Sequence, residues 1–341
     1  MRLLVIGGTR FVGRHLVDAA LAAGHAVTLF NRGLSGAAPA GVEQRQGDRR
    51  QDLSALAQGQ WDGVVDTCGY LPGEVEAMAA CLRGRVGRYL FVSSISAYAD
   101  ATTANPEASP LGRFDTPEAA QTEVVDGASY GPLKALCEAQ VQAAFGTEAL
   151  ILRPGLIVGP HDPTQRFTYW PARIARAAPG ESVLVPGPAD AAVQFIDARD
   201  LAAFMLTLLT RPLGAEPGVF NIVGTPGQYN RADLFKACAA AAGTSPKLVW
   251  ADLARLQALG LQAWSDLPLA VPDDAEHRQF LSVDNRRAVA AGLRTRPLAD
   301  TVADTLSWYR RLPAAQQSFD KAGLTPAREA EALSALSSME D

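Results

Sequence analysis

The stretch Ile6-Gly7-Gly8-Thr9-Arg10-Phe11-Val12-Gly13 decides how this chain is read. Before it, Leu3, Leu4, Val5 and Ile6 form a short apolar run. After it, Leu16, Val17, Ala20 and Leu21 recur at helical spacing, and Ala26 to Phe30 is apolar again up to Asn31-Arg32-Gly33. The pattern predicts strand, glycine turn, helix, strand. In that context the glycines acquire a chemical use. Gly7 permits the tight turn out of the strand, Gly8 lets backbone N–H groups approach a pyrophosphate, and Gly13 lets the helix pack closely. The helix N-terminus then turns its free N–H groups and positive dipole end toward the phosphates. Gly7 to Gly13, with Thr9, Arg10, Phe11 and Val12 between them, is read as one wall of a dinucleotide site.

Composition agrees. The chain has 341 residues, 48% apolar and 20% charged, enough for a core plus a second lobe. The formal net charge of −5 gives no reason to expect nucleic acid as a partner. Met1-Arg2 leads directly into the first strand, so no signal peptide is expected. No apolar run reaches the roughly 18 residues of a membrane span. A cytoplasmic protein with no membrane partner is expected. Cys68, Cys81, Cys137 and Cys238 are scattered without metal-ligand spacing, so no metal is expected and reduced thiols are.

Farther along, Asn31 stands where many dinucleotide folds carry an acid for the adenosine ribose. Arg32 follows it, and Arg10 intrudes into the glycine turn. Two guanidiniums without a carboxylate favour the 2′-phosphate of NADP over NAD, by about 1.5–3 kcal/mol per good contact. Val42 to Gly47 reads as a third strand, with Asp48 ending near the adenine. Val64-Val65-Asp66 reads as a fourth, and Thr67, Cys68 and Gly69 at its end should lie along the cofactor. Arg83, Arg85 and Arg88 read as a solvated turn between helix and strand.

Tyr89 to Val92 is the next strand and opens into Ser93-Ser94. Ser129-Tyr130-Gly131-Pro132-Leu133-Lys134 then heads a helix through Phe145. Tyr130 and Lys134, four apart, share one helix face. A phenol of pKa about 10 needs about 4 kcal/mol to reach neutrality. A cation about 4 Å away supplies that order of energy. Tyr130 is therefore the candidate acid–base group, Lys134 the cation that lowers its pKa, and Ser94 the hydrogen-bonding partner of substrate oxygen or phenol.

These segments together resemble the extended short-chain dehydrogenase/reductases, also called the NAD-dependent epimerase/dehydratase family. The likeness rests on Gly7 to Gly13, Ser94 four residues before Tyr98, and Tyr130-Gly131-Pro132-Leu133-Lys134. It continues through Leu152-Arg153-Pro154-Gly155, Gln194 to Ala202, Phe220-Asn221-Ile222 and Asp284 to Leu293, so it spans roughly residues 1 to 310. The resemblance implies a doubly wound α/β parallel sheet of Rossmann type with a smaller, mostly helical substrate lobe. The division expected is residues 1–158 plus 193–224 for the cofactor domain and 159–192 plus 225–341 for the lobe. It also implies that Pro154 and Gly155 line the nicotinamide face, that Lys134 binds the nicotinamide ribose, and that a homodimer forms through two helices per subunit.

Two departures stand out. The family usually has glycine where Arg10 stands; a similar Gly-Gly-Thr-Arg-Phe start occurs in a branch that includes chloroplast stem-loop RNA-binding proteins. Sugar-nucleotide epimerases carry an arginine and a histidine around the place of Val193-Gln194-Phe195-Ile196-Asp197. The expected activity is NAD(P)-linked oxidation or reduction of a secondary alcohol or ketone of a small molecule. The alternatives are a sugar or sugar-nucleotide epimerase with tightly held NAD, and a non-catalytic RNA-binding or redox-sensing relative. In the second lobe, Phe167, Tyr169 and Trp170 read either as core or as a lid, and His161 either as a turn residue or as a substrate contact.

Overall fold

A computed structural model describes residues 1–211, 218–272 and 274–339. Residues 212–217 of the expected cofactor domain, and 273, 340 and 341 of the expected lobe, lie outside the described residues. The chain divides into two compact units. The first comprises Met1–Leu156, Ala198–Val223 and Val283–Arg294; the second comprises Ile157–Asp197, Gly224–Ser282 and Thr295–Asp341.

The first unit is built on a seven-stranded sheet. Its strands are β1 (Arg2–Ile6), β2 (Ala26–Asn31), β3 (Glu43–Gln46), β4 (Gly63–Asp66), β5 (Tyr89–Val92), β6 (Ala149–Pro154) and β7 (Gly218–Ile222). The order is β7-β6-β5-β4-β1-β2-β3, and every pairing is parallel. The winding reverses beside β1, which makes the C-terminal ends of β1 and β4 the place for a ligand. Its longer helices are α1 (Phe11–Ala22), α2 (Pro72–Leu82), α3 (Tyr130–Phe145) and α4 (Ala198–Thr210). Because successive strand residues alternate faces, Leu4 and Ile6 meet Val75, Met78, Cys137 and Val141 of α2 and α3. Leu3 and Val5 are also fully buried, and α1 packs against α4. This is the doubly wound α/β architecture.

Val283–Arg294, assigned above to the substrate lobe, packs instead with the sheet unit. The Asn285 amide donates to the Val223 carbonyl (2.9 Å), and the Asn221 amide donates to the Asp284 carbonyl (2.9 Å). Arg287 lies over the Phe220 ring at 5.1 Å. These bonds tether the segment to β7. The basic turn after α2 also differs from the expectation. Arg88 is buried, donates to the Leu208 carbonyl (2.6 Å) and faces Glu148 at 3.7 Å, while Arg85 donates to the carbonyls of Leu56 and Cys81. Only Arg83 of the three is exposed.

The second unit holds helices at Arg166–Arg176, Arg231–Ala242, Leu253–Ala258, Leu298–Arg310 and Pro326–Ser338, with three two-stranded pairings. Phe167, Tyr169 and Trp170 are its core, not a lid: all are at most 1% exposed. Trp170 meets Phe235 edge-on at 4.8 Å, and its indole N–H donates to the Pro268 carbonyl at 2.7 Å. Asp197, at the histidine position of the resemblance, is buried and accepts from Thr301 (3.0 Å) with Arg296 at 3.6 Å. His161 is half-buried with φ 69°, its ring 5.2 Å from that of Trp308.

Candidate functional site

The glycine turn leaves β1 through Gly7 and Gly8, whose φ angles are 100° and 87°. A Cβ on Gly8 would lie 2.4 Å from Leu29, and one on Gly13 would lie 2.7 Å from the Gly8 Cα. The helix therefore seats its first turn directly on the turn backbone, closer than any side chain allows. Arg10 is the N-cap of α1, extended and without a side-chain cap bond. The orphan N–H groups of the first turn, from Phe11 to Gly13, are thus not satisfied by a capping side chain. That is what a dinucleotide pyrophosphate needs, and the turn fits one.

Asn31 braces this turn from β2. Its amide donates to the Gly7 carbonyl (3.0 Å), and its oxygen accepts from the Gly33 N–H and the Gln44 amide, each at 2.9 Å. Arg10 and Arg32 are exposed, one at the turn and one just past β2. Asp48 is half-buried and accepts from the Arg50 N–H at 3.0 Å. Thr9 and Val12 are half-buried.

The end of β4 faces the turn. Thr67 donates its hydroxyl to the Ile6 carbonyl (2.8 Å) and stands where a Cβ on Gly7 would be. Cys68 lies beside it, its thiol pushed up to about 11 by burial, with the Asp66 charge adding to the rise. Beneath them is a group that sequence reading missed. Asp66, fully buried, takes two bonds from the Arg49 guanidinium (2.8 and 3.0 Å), one from the Tyr89 hydroxyl (2.8 Å) and one from the Cys68 N–H (3.1 Å). Burial pushes its carboxyl up, but Arg49 and these bonds outweigh that and hold it below the usual carboxylate range. The available signal was an acid ending an apolar strand, since a buried charge needs a partner. Arg49 itself, 17 residues upstream, carried no such mark.

Ser94, Tyr130 and Lys134 come together at the ends of β5 and α3. Ser94 is buried and accepts from the Ser96 N–H (3.1 Å), and its side chain lies beside the Tyr130 phenol, whose pKa it draws down. Gly131 permits this approach: a Cβ there would sit 2.1 Å from the Ser96 carbonyl oxygen. Lys134 is 3% exposed and donates to the carbonyls of Gly69 (2.8 Å) and Val92 (2.6 Å). Its ammonium lies 4.2 Å from the Phe91 ring centre. Burial lowers the Lys134 pKa to about 8. The Tyr130 pKa is raised by burial, against the pull of Ser94. The Lys134 ammonium is turned to these two backbone carbonyls. Pro154 ends β6, paired with Ile222, and the Gly155 N–H donates to the Ile222 carbonyl at 3.2 Å. Among the described residues, no cluster of His, Cys, Asp or Glu could hold a metal, and no helix is long and apolar enough to cross a membrane.

The profile of the NAD dependent epimerase/dehydratase family matches residues 3–223, the span that carries the sheet, the glycine turn and the Ser94–Tyr130–Lys134 group. The chain belongs to that family. Among curated proteins it is 29% identical over 269 residues to the chloroplast stem-loop binding protein of 41 kDa b of Arabidopsis thaliana. That alignment takes in 73% of this chain and 65% of the length of the relative, just under two thirds. Among solved structures it is similar to UDP-glucuronic acid 4-epimerase from Bacillus cereus in complex with NAD. There the TM-score is 0.62 and the identity 17%, with 90% of this chain and 98% of that one covered. It is also similar to UDP-glucose 4-epimerase of Thermus thermophilus in complex with NAD. That match has a TM-score of 0.60 and 20% identity, with 91% and 99% covered. At such identities these structures establish the shared fold.

Proposed function

We propose that the chain is an NAD(P)-dependent oxidoreductase that acts on a secondary alcohol or ketone of a small molecule. The observation that carries this reading is the gathering of buried Ser94, the Tyr130 phenol beside it, and buried Lys134 four residues on along the same helix. When bound, a nicotinamide dinucleotide supplies or accepts the hydride. Phe11 to Gly13 would hold its pyrophosphate, and Thr67 to Gly69 would flank its nicotinamide end. Arg10 and Arg32 would meet a 2′-phosphate, which favours NADP over NAD.

The chemistry of the side chains follows from their environments. In the reductive direction the protonated Tyr130 phenol donates its proton to the oxygen that gains negative charge, while Ser94 holds that oxygen. A Tyr130 pKa raised by burial suits a group that must be protonated at neutral pH. In the oxidative direction Tyr130 must first lose its proton, so that direction should accelerate as pH rises. Lys134 contributes a fixed positive charge below about pH 8. Tyr130→Phe is expected to lower turnover of a reducible ketone by about 10²- to 10⁴-fold, with dinucleotide affinity within about threefold of the parent. Unchanged turnover would remove Tyr130 from the reaction.

A second reading, epimerisation with NAD retained throughout, draws on the NAD complexes of the two epimerases that share the fold. Buried Asp197, bonded to Thr301 where the resemblance calls for histidine, weighs against a sugar diphosphate. Denaturing freshly purified protein and weighing any released nucleotide separates the two. Stoichiometric NAD favours epimerisation; an empty protein favours a reductase that exchanges its cofactor. Stem-loop binding is named for the curated relative. For this chain, with net charge −5, RNA binding would need an affinity that falls steeply with salt.

A further inference from the structure

Tyr70 lies between β4 and α2, one residue past Gly69, and nothing in its sequence setting distinguishes it from a turn residue. Its surroundings do. Its ring centre is 6.5 Å from that of Tyr130, tilted by 41°, and the Lys134 ammonium is 5.5 Å from it. The Lys134 ammonium thus has the Phe91 ring at 4.2 Å, the carbonyls of Gly69 and Val92 as acceptors, and the Tyr70 ring at 5.5 Å. Tyr70 is 44% exposed, whereas Lys134 is only 3% exposed. Tyr70 meets solvent where the lysine beside it does not.

We propose that Tyr70 is a positioning residue of this site: its ring screens the Lys134 ammonium from water and holds it dry beside Tyr130. The proposal rests on the reading of Tyr130 and Lys134 given above. A dry ammonium keeps its full electrostatic effect on a neighbouring phenol or a bound ribose hydroxyl, whereas a hydrated one is screened. The other groups around Lys134 are Cys137 and Glu138 on α3, Asp66 and Cys68 at the end of β4, and Arg49. Glu138 is paired with Arg153 (2.6 Å) and Asp66 with Arg49 (2.8 Å), so each acid already has a partner cation. Cys137 is pushed up to about 12 by burial and is neutral. Tyr70 is likewise neutral, its phenol raised to about 12, first by desolvation. It therefore acts through its ring, not through a charge.

The chain has only four lysines, Lys134, Lys236, Lys247 and Lys321. Protein labelled with carbon-13 at the lysine ε position gives few signals, and Lys134→Arg identifies the one of interest. The titration is read without dinucleotide, so it stands or falls separately from the turnover of Tyr130→Phe. In Tyr70→Ala, water returns to the ammonium and favours its charged form, so the Lys134 midpoint is expected to rise by about one pH unit. Losing the attraction of the ring face works the other way. It is the weaker effect, because 5.5 Å is close to the roughly 6 Å limit of such contacts. Tyr70→Phe and Tyr70→Leu keep apolar bulk and should leave the midpoint within about half a pH unit. These two variants also serve if Tyr70→Ala proves unstable. An unchanged or lowered midpoint in Tyr70→Ala would overturn the proposal. So would a rise in Tyr70→Phe, which would assign the effect to the hydroxyl.

Discussion

Burial acts on Tyr130 and Lys134 in opposite senses of charge but to one effect: it makes each prefer its neutral form. The phenol is pushed up and the ammonium down to about 8. Their spacing was legible in the sequence because a four-residue interval on a helix fixes a shared face. The direction of the Lys134 side chain was not, since it depends on the carbonyls of Gly69 and Val92, 65 and 42 residues away. Tyr70 escaped notice for the same reason, as its neighbours are distant in the chain. Arg10 and Arg32 belong to this scale too. Both are exposed, so their removal should leave the fold intact. The double variant Arg10→Ala with Arg32→Ala is expected to reduce the preference for NADPH over NADH by about 10- to 100-fold, mostly by weakening NADPH. Parallel fluorescence titrations with the two nucleotides measure it. An unchanged ratio would show that neither guanidinium reads the 2′-phosphate.

At the scale of elements, the strand β4 depends on a charge it buries. Asp66 ends an apolar strand and survives there because Arg49 and Tyr89 satisfy it. Asp66→Asn removes the closer of the two carboxylates that face the nearly buried Arg49 guanidinium, and about 3–5 kcal/mol of stability should be lost. Denaturant unfolding of the variant checks this; a loss below about 1 kcal/mol would mean that Glu74, 3.4 Å from Arg49, takes over. The sign with pH is fixed. A carboxyl held below its ordinary value stabilises the fold above about pH 4, and that contribution is lost as pH falls through the lowered value. The parent should therefore lose more stability than Asp66→Asn on acidification below about pH 4. The strands and helices themselves were largely legible, and α3 ends at the residue expected, Phe145, with Ser129 as its N-cap. The aromatic run Phe167-Thr168-Tyr169-Trp170 was not decidable in advance. Apolar residues of a short helix read alike whether they face a core or a ligand, and only Phe235 and the Pro268 carbonyl settle the matter.

At the scale of the molecule, the parallel order β7-β6-β5-β4-β1-β2-β3 brings the glycine turn of β1 and the Thr67–Gly69 end of β4 together. The Ser94–Tyr130–Lys134 group stands one strand farther along. Residues 7, 67 and 130, far apart in sequence, were drawn into one proposed site by the glycine turn, the ends of the apolar strands, the Tyr130–Lys134 spacing and the family resemblance. The allocation of Val283–Arg294 to the sheet unit was not legible, because its anchors are single side chains, Asn221 and Asn285, rather than a periodic pattern. The claim on which the account turns is that the glycine turn and α1 hold a nicotinamide dinucleotide. Titration of the purified protein with NADPH and with NADH, alongside Gly13→Ala, tests it most directly. A Cβ at position 13 would stand 2.7 Å from the Gly8 Cα and displace the turn. The account predicts saturable binding of one dinucleotide per chain, NADPH at least about 10-fold tighter than NADH, and loss of binding in Gly13→Ala. Absence of saturable binding of either nucleotide to the parent protein at millimolar concentration would contradict it.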